Sequence, residues 1–330
     1  RKWGYMKKII LILTTLIILI TLSLFLNKNK TNNSKVVVSE VTHSVFYAPW
    51  YVAIENGYFE EQKIDIEVLL TPGADKVATS VLSGDANIGF SGPEATVYIY
   101  NNSKEKLLTF ASLTKKDGQF IVGPCNLKNK FKMTDLKGKI TLAGRSGGMP
   151  LLMFKYALKE SNINENDLTI NTSIEFSALT GAYISKQGDF VNLFEPNALS
   201  IEKQQYGCVL SSLGNITGTV PYTAFYAKEE YINNNKDIIR KFNKALNKGI
   251  IFVKENTSSA IAKAILNQFP DTSLKDLTNL IDRYKKIDSW YDSTKVIKSD
   301  YDRLIDIMLY GKTINNKLDT EILFTNEFNR

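Results

Sequence analysis

The sequence predicts a two-lobed α/β protein that carries a membrane helix at its N-terminus. Three observations lead to this fold class. The chain has 330 residues, too many for one ordinary core and enough for two lobes of roughly 100–150 residues each. Short apolar strands alternate with helical patterns in two successive stretches, and an uncharged apolar run precedes both.

The first 35 residues are typical of a signal anchor followed by a polar linker. Met6-Lys7-Lys8 precedes Ile9–Leu26, which is eighteen residues long and uncharged. A signal-peptide core spans roughly 7–15 residues and a membrane helix about 20, so this run is nearer the second. Neither a small-x-small cleavage site nor a lipid-acceptor cysteine follows it. We expect an N-terminal anchor with the folded body on the outer side of the cell membrane. The alternative is a signal peptide that is cleaved at an atypical site. Whether residues 1–5 are native also stays open.

A first β-α-β-α-β stretch predicts a mostly parallel sheet with helices on both faces. Apolar and polar residues alternate over Ile64–Val68, as in a half-buried strand, and Gly84 ends the helix that follows. The segments predicted here are strands at Val36–Val38, Ile64–Val68 and Ile88–Phe90 and helices at Tyr51–Phe59, Val77–Leu82 and Glu94–Tyr100.

A second α/β stretch begins near residue 135. Pro150 suits the first turn of a helix, and Leu151, Phe154 and Leu158 form one apolar face of that helix. The segments predicted here are strands at Ile140–Ala143, Thr169–Phe176, Phe190–Phe194 and Val209–Leu210 and helices at Leu151–Leu158 and Ala198–Tyr206.

The last third of the chain is predicted to be helical. An amphipathic stripe runs from Phe242 to Val253, and Ser273 and Ser299 each begin a pattern typical of a capping box. Because each helix has an apolar face that needs a partner, we expect this third to pack on the first lobe. The predicted domains are an anchor and linker at 1–35, a discontinuous lobe at 36–123 plus 225–330 and a second lobe at 124–224, with hinges near 122–126 and 222–227.

The net charge of +7 does not indicate a nucleic-acid protein. Six basic residues and no acidic ones lie in the first 30 positions, which leaves 35 basic against 34 acidic residues in the body. The lysines of the body are scattered among acidic residues, as on a solvated surface, and form no basic stripe with interleaved aromatics. We therefore expect no nucleic-acid partner.

The cysteines and the histidine are too few for a zinc site. Cys125 and Cys208 stand far apart in sequence, and His43 is the sole histidine, whereas a structural zinc ion needs about four ligands. We expect no metal and no cofactor. A disulfide between the two cysteines is open, but we expect two separate buried thiols.

Three loops follow predicted strands, which is where open α/β sheets bind ligands. The first is rich in aromatic residues without helical or strand spacing, and its flat apolar faces with polar rims suit an organic ligand. We select His43, Phe46, Tyr47 and Trp50 from it. The alternative is that Trp50 simply forms the buried face of the next helix and that His43 is bonded to backbone.

The second loop contributes Ser91, Gly92 and Glu94 to the candidate site. Gly92 permits close approach of the backbone to a ligand, and Ser91 offers a hydroxyl. The helix that starts after Pro93 has free N–H groups that suit an anionic or polar group. The alternative is an ordinary helix N-terminus with no ligand.

The third loop contributes Arg145, Ser146, Gly147 and Gly148. It lacks the P-loop pattern, but its backbone N–H groups favour an anion, and Arg145 suits a carboxylate or sulfonate. An equally open alternative is a solvated or structural arginine. The ends of later segments add two further candidates, Glu195 and Tyr222.

Several motifs resemble those of one family. The start of the folded body is similar to the opening of the nitrate/sulfonate/taurine and thiamine-pyrimidine group of solute-binding proteins. The likeness lies in three segments, Val41–Ser44, Trp50–Ala53 and Gly57–Phe59. The further matching segments are Gly73–Asp75, Leu82–Gly84, Asp85–Gly89, Leu136–Lys139, Glu230–Ile232, Phe242, Ala245–Leu246 and Phe252. The likeness covers roughly residues 36–270 and leaves the ligand open.

The resemblance implies a periplasmic-binding-protein fold of the second type, in which two lobes close on a ligand. It also implies an extracytoplasmic, monomeric protein that serves an ABC importer through a separate permease and ATPase and catalyses no reaction. Lipid-anchored members carry an N-terminal cysteine that this chain lacks, so the helix itself is the expected tether. The ligand is expected to be a small aromatic or anionic molecule, or one that is both.

Two other functions stay open at this level. The first is an enzyme on the same fold, similar to the fungal thiamine-pyrimidine synthase. That enzyme has a cysteine-rich run near its active site, which this chain lacks. Such an enzyme could use Glu94 and Glu195 as an acid/base pair, or His43 in a hydrolytic site. Without further catalytic residues, neither pattern is strong evidence for an enzyme. The third class is a membrane-tethered ligand sensor without a transporter.

Overall fold

The computed structural model describes Trp3, residues 33–144 and residues 146–329. The predicted anchor at Ile9–Leu26 and the predicted ligand residue Arg145 lie outside these described residues. Contacts divide the chain into Arg1–Ser34 and Lys35–Arg330. No helix in the described part of the chain is long and apolar enough to cross a membrane.

The first sheet has five strands in the order β2-β1-β3-β10-β4. Its strands are β1 (Ser34–Glu40), β2 (Ile64–Leu70), β3 (Ile88–Ser91), β4 (Leu107–Thr114) and β10 (Thr223–Lys228). β1 runs parallel to β3, with Val38 opposite Ile88. β10 comes from far along the chain and is antiparallel to both β3 and β4, so the sheet is mixed.

Four helices connect the first strands of this sheet. They are α1 (Ala48–Glu55), α2 (Tyr58–Glu61), α3 (Ala74–Ser83) and α4 (Glu94–Asn102). The predicted helix at Tyr51–Phe59 is two helices, because Gly57 adopts a φ of 71° between them, a conformation that glycine reaches without strain. The predicted strands at residues 36, 64 and 88 and the helices at residues 77 and 94 are confirmed.

The second sheet also has five strands, in the order β7-β6-β8-β5-β9. They are β5 (Phe120–Gly123), β6 (Ile140–Leu142), β7 (Thr169–Asn171), β8 (Phe190–Leu193) and β9 (Cys208–Ser212). β6 pairs in parallel with β7 and β8, whereas β5 is antiparallel to β8 and β9. The predicted strand at Thr169–Phe176 is wrong beyond Asn171, since Phe176 begins a helical turn instead.

Four helices cover the second sheet. They are α5 (Met149–Glu160), α6 (Leu179–Ile184), α7 (Asn197–Lys203) and α8 (Leu213–Thr217). Pro150 lies in the first turn of α5 as predicted, and Phe154 and Leu158 are fully buried. The chain passes from the first sheet to the second between Thr114 and Phe120 and returns between Ser212 and Thr223. The lobe boundaries predicted from the sequence, 36–123 plus 225–330 and 124–224, stay a prediction.

The C-terminal third is helical after β10. Its helices are α9 (Glu229–Asn234), α10 (Lys236–Glu255), α11 (Ser258–Ala264), α12 (Leu274–Lys286) and α13 (Lys298–Tyr310). The stripe of α10 is buried and packs on α1. Ser273 caps α12 by accepting from Asp276 N, as predicted. The predicted cap at Ser299 is wrong, since α13 begins at Lys298 with no side-chain cap bond.

The expectation of two separate thiols is also wrong, because Cys125 and Cys208 form a disulfide. Sheet pairing brings them together: β5 and β9 are neighbours, Gly123 faces Cys208, and Cys125 follows two residues later. Their Cα atoms are 4.9 Å apart although 83 positions separate them in sequence. Disulfides persist mainly outside the reducing cytoplasm, which agrees with an extracytoplasmic body.

Candidate functional site

A cavity of about 460 Å³ lies among the loops at the ends of strands from both sheets. Its size is that of a pocket for a small organic molecule. Its lining includes Thr42, His43, Tyr47, Leu70, Asp75, Gly92, Glu94, Ser146, Gly147, Gly148, Met149, Glu175, Phe176, Phe194, Asn197, Tyr222 and Thr223.

The loop after β1 supplies two of the predicted residues to this lining. Tyr47 lies in a short 3₁₀ turn that Ser44 caps, with its ring centroid 4.4 Å from that of Phe90. Burial raises the pKa of the Tyr47 phenol, so the hydroxyl is neutral at any physiological pH. It therefore offers the cavity a flat apolar face with one neutral polar group.

His43 lines the cavity, but both of its ring nitrogens are engaged elsewhere. Nδ1 lies 3.0 Å from Tyr51 Oη and 3.3 Å from Glu40 Oε1, while Nε2 lies 2.8 Å from Gln268 O. Burial opposes the charged ring, yet the bonds to Glu40 and to the Gln268 carbonyl raise its pKa overall. Because both nitrogens have partners, His43 does not offer the cavity a free base.

Phe46 and Trp50 lie outside the lining and are fully buried in the core. Trp50 packs its ring 5.2 Å from Phe59 and donates from Nε1 to Glu40 Oε2 at 3.0 Å. Phe46 packs against Phe194, which does line the cavity, at 5.5 Å. These two residues hold the loop in place behind the residues that face the cavity.

The loop after β3 places Glu94 and Gly92 in the lining. Glu94 starts α4 and is 1% exposed. Its Oε1 accepts from the backbone N–H of Met149 at 3.2 Å, and burial raises its pKa to about 8. Ser91 lies behind the lining, where its hydroxyl is 2.8 Å from that of Tyr226.

The glycine-rich loop before α5 also lines the cavity. Ser146, Gly147 and Gly148 all belong to the lining. Gly147 has a φ of 96°, where any other residue would be strained, so a glycine is needed for this turn. The predicted anion partner, Arg145, is not among the described residues.

Glu195 lies outside the lining and forms part of a buried ion network. Its Oε1 accepts from Arg283, whose other nitrogen is 2.6 Å from Glu202 Oε2. The carbonyl of Glu195 also accepts from Ser44 Oγ at 2.7 Å. The network joins the segment after β8 to α12 and to the aromatic loop, and it engages the carboxyl fully.

Tyr222 belongs to the lining and lies next to the two chain crossings. Its ring meets Phe194 edge-on at 6.0 Å, and its hydroxyl accepts from Gln119 Nε2 at 3.4 Å. Asp117 lies beside this hydroxyl and is fully buried, which raises its pKa to about 7. Asp117 is thus a titratable group at the crossings that sequence reasoning missed.

Sequence reasoning also missed aromatic and apolar walls of the cavity. Phe176, Phe194 and Met149 line it but carry no polar group that singles them out in sequence. The positions of Phe176 and Phe194 at the ends of predicted strands were the one available signal. Among the described residues, no cluster of His, Cys, Asp or Glu is suited to a metal ion.

Solved structures with low sequence identity share this fold. The alkanesulfonate-binding protein SsuA from Xanthomonas axonopodis pv. citri bound to MOPS is 12% identical with a TM-score of 0.71, over 90% of this chain and 99% of that one. The periplasmic nitrate-binding protein NrtA from Synechocystis PCC 6803 is 13% identical with a TM-score of 0.70, over 88% and 84%. The two sheets therefore form the fold of periplasmic binding proteins.

Sequence comparison goes further than the fold. YtlA of Bacillus subtilis (strain 168), which carries the designation of a binding protein, is 37% identical over 283 residues, or 85% of this chain and 84% of that protein. A family model described as NMT1/THI5 like matches residues 45–260. The resemblance seen in the motifs is confirmed: the chain belongs to the NMT1/THI5-like family.

Proposed function

We propose that this protein captures a small organic molecule and delivers it to the permease of an ABC importer. The observation that carries the proposal is the cavity of about 460 Å³, which takes its walls from loops of both sheets. Tyr47, Phe176, Phe194 and Tyr222 give it flat aromatic walls. Such walls favour a ligand with a planar ring.

A binding role suits the side chains better than catalysis does. Both nitrogens of His43 have partners, so this ring is not a free general base. The Glu195 carboxyl is held by Arg283, which removes it from an acid/base pair with Glu94. The proposal is therefore a binding protein and not an enzyme on the same fold.

The location we propose is the extracytoplasmic face of the membrane, with a monomeric body. The disulfide supports an oxidising compartment. The uncharged run at Ile9–Leu26 supports an N-terminal tether. N-terminal sequencing of the protein from membranes tests the tether, and a mature chain that begins after Leu26 contradicts it.

Thermal unfolding in the presence of candidate solutes tests the binding role. A ligand at 100 times its Kd stabilises the folded state by about 2.7 kcal/mol, which raises the melting temperature. We expect planar organic solutes to give such shifts and Tyr47→Ala to reduce them. A broad screen of pyrimidines, sulfonates, nitrate and aromatic acids without any shift would contradict the proposal.

Closure of the two lobes is part of the same proposal. The sequence places the hinges near 122–126 and 222–227, but residues 120–123 and 223–228 are strands of the two sheets. We therefore propose that closure occurs about the crossings at 115–119 and 213–222, which connect the sheets. Small-angle scattering should give a smaller radius of gyration with a saturating ligand. An unchanged radius contradicts closure. Genes for a permease and an ATPase beside this one would distinguish an importer component from a sensor.

A further inference from the structure

His43 lies between two elements of the fold, and on each side its ring nitrogen faces a hydrogen-bond acceptor. On one side Nδ1 lies 3.0 Å from Tyr51 Oη, whose own proton goes to Glu40 Oε1 at 2.8 Å. On the other side Nε2 lies 2.8 Å from the carbonyl oxygen of Gln268. A carbonyl only accepts, and the phenol has no second proton to give, so both ring nitrogens must donate.

An imidazole that donates from both nitrogens is the protonated cation. Glu40 supplies the opposite charge: its Oε1 lies 3.3 Å from Nδ1, and its side chain is 0% exposed, whereas that of His43 is 37% exposed. Burial opposes the charge on His43, but the bonds to Glu40 and to the Gln268 carbonyl outweigh burial and raise its pKa. The ring therefore keeps its proton at pH 6 and releases it above the ordinary histidine value of about 6.5.

The described groups around the ring cannot replace this positive charge. Tyr51 packs its ring 4.7 Å from that of His43, and burial raises the pKa of its phenol, so it is neutral near pH 7. Phe269 packs on the ring at 4.9 Å and is apolar. The titratable residues that share the cavity lining with His43 are Tyr47, Asp75, Glu94, Glu175 and Tyr222. Phenols and carboxyls carry no positive charge in either protonation state.

The proton on His43 holds a turn of the C-terminal third in place. Leu266–Gln268 form a 3₁₀ turn that follows α11. Glu55, the last residue of α1, accepts from the side chain of Gln268 at 2.5 Å and from that of Asn267 at 3.2 Å. His43 adds the bond to the Gln268 carbonyl, and this bond joins the turn to a residue of the cavity lining.

A neutral imidazole has a single N–H and cannot serve both sides. If the remaining proton stays on Nε2, then Nδ1 faces Tyr51 Oη and Glu40 without a hydrogen to donate. If it stays on Nδ1, the lone pair of Nε2 faces the Gln268 carbonyl and the turn is released. In both cases Glu40 stays buried and loses the cation that the described residues give it, which is costly for a buried ion pair.

We propose that His43, Glu40, Tyr51 and the Gln268 carbonyl form a proton-operated clamp, which holds the turn Leu266–Gln268 to the loop after β1 at mildly acidic pH and releases it as the pH rises. The clamp goes beyond the proposed function and does not depend on it, because no ligand takes part. Since His43 lines the cavity, release of the clamp loosens part of the cavity wall.

The charge of His43 can be measured directly, because it is the sole histidine of the chain. Nitrogen-15 NMR of the imidazole distinguishes the cation from the two neutral tautomers, and a pH titration gives the midpoint of proton loss. We expect the cation at pH 6 and a midpoint above about 6.5. A neutral ring at pH 6, or a midpoint below about 6.5, overturns the proposal.

The variant His43→Gln tests the clamp through stability, because the amide can donate to one side but carries no charge at any pH. A histidine with a raised folded pKa stabilises fully below its unfolded pKa, and this contribution is lost as the pH rises through the folded pKa. The free energy of unfolding in urea should therefore exceed that of the variant most at pH 6 and least at pH 9. Asp117 and Glu94 titrate in both chains, so the difference isolates His43. A difference that is independent of pH overturns the proposal.

Hydrogen exchange followed by mass spectrometry shows what the clamp holds. At pH 6 we expect peptides that contain Leu266–Gln268 to exchange about two- to tenfold faster in His43→Gln than in the wild-type chain, the factor that corresponds to one hydrogen bond. Peptides from β8, in the second sheet, are the control and should exchange alike in both chains. Equal exchange of the turn at pH 6 overturns the clamp. That result leaves the proposed function intact, which fails only if the broad screen finds no ligand.

Discussion

Replacing Arg283 by methionine removes the cation that two acidic side chains share. In the wild-type chain Arg283 contacts Glu195 Oε1, and its other nitrogen lies 2.6 Å from Glu202 Oε2. The side chain of Glu195 is 0% exposed, whereas that of Arg283 is 31% exposed. The variant therefore leaves a buried carboxyl without its partner while filling most of the arginine's apolar volume.

The expected loss of stability follows from that burial. Breaking a buried ion pair by removing one partner costs about 3–5 kcal/mol. Because Arg283 is partly exposed and water can reach part of the site, we expect the lower end, about 3 kcal/mol at pH 8. Arg240→Met is the control: its nitrogen lies 4.0 Å from Asp237 Oδ1 with both side chains exposed, so it should cost under about 1 kcal/mol.

The loss should also depend on pH. Burial raises the pKa of Glu195, and Arg283 opposes that rise, so the variant raises it further. A carboxyl whose folded pKa lies above its unfolded value binds more protons when folded, and its effect on stability becomes less favourable as pH rises. The cost of Arg283→Met is therefore smaller at pH 5, where Glu195 takes up a proton, than at pH 8.

Urea unfolding at pH 5 and pH 8 measures both quantities by linear extrapolation. The double variant Arg283→Met with Glu195→Gln should recover part of the loss at pH 8, since the fully buried one of the two carboxyls is then uncharged, while Glu202 keeps Lys128 at 3.6 Å. The reasoning is refuted if Arg283→Met costs the same at both pH values, or if it costs no more than Arg240→Met.

Three further predictions concern the core, the cross-link and the buried carboxyls. Trp50→Ala should lower the free energy of unfolding by about 3–5 kcal/mol in urea titrations, because Trp50 is fully buried. Tyr47→Ala should mainly lower ligand affinity in calorimetry. The reverse pattern contradicts the placement of Trp50 in the core and of Tyr47 in the cavity lining. Chemical reduction of the disulfide should lower the free energy of unfolding by about 2–4 kcal/mol, since it closes a long loop; identical unfolding curves with and without reductant contradict the cross-link. Burial raises the pKa of Asp117 to about 7 and that of Glu94 to about 8. The folded state therefore holds extra protons, and the ligand-free protein should lose stability from pH 5 to pH 9. Glu94→Gln should flatten the upper part of this plot of stability against pH, and an unchanged plot contradicts the raised pKa of Glu94.

Local patterns in the sequence were enough for much of the fold. Alternation over Ile64–Val68 and the helical stripe from Phe242 to Val253 depend on neighbours within a few residues, and both elements are present. β4, β5 and β10 were missed; β10 lies between two strands of distant origin, so it is defined by partners that no local window contains.

The candidate site divides in the same way. Strand ends and glycines indicated the loops that hold Tyr47, Gly92, Glu94 and Gly147, all of which line the cavity. The sequence left Trp50 open between a ligand residue and the buried face of the next helix, and it favoured Phe46 together with Tyr47 as ligand residues, because all of these are aromatic and lie within four positions of one another. Packing decides between them: the turn of α1 directs Trp50 toward Phe59 in the core.

By itself the sequence determined the family, the α/β class and the loops that carry the site, because these depend on composition, periodicity and short motifs. The tertiary structure alone decided which side chains meet. The disulfide joins positions 83 residues apart, Glu195 meets Arg283 from another part of the chain, and Glu94 reaches the first N–H of α5. Such contacts depend on how the sheets and helices pack in three dimensions. The number of residues between two positions does not say how far apart their side chains lie in the folded chain.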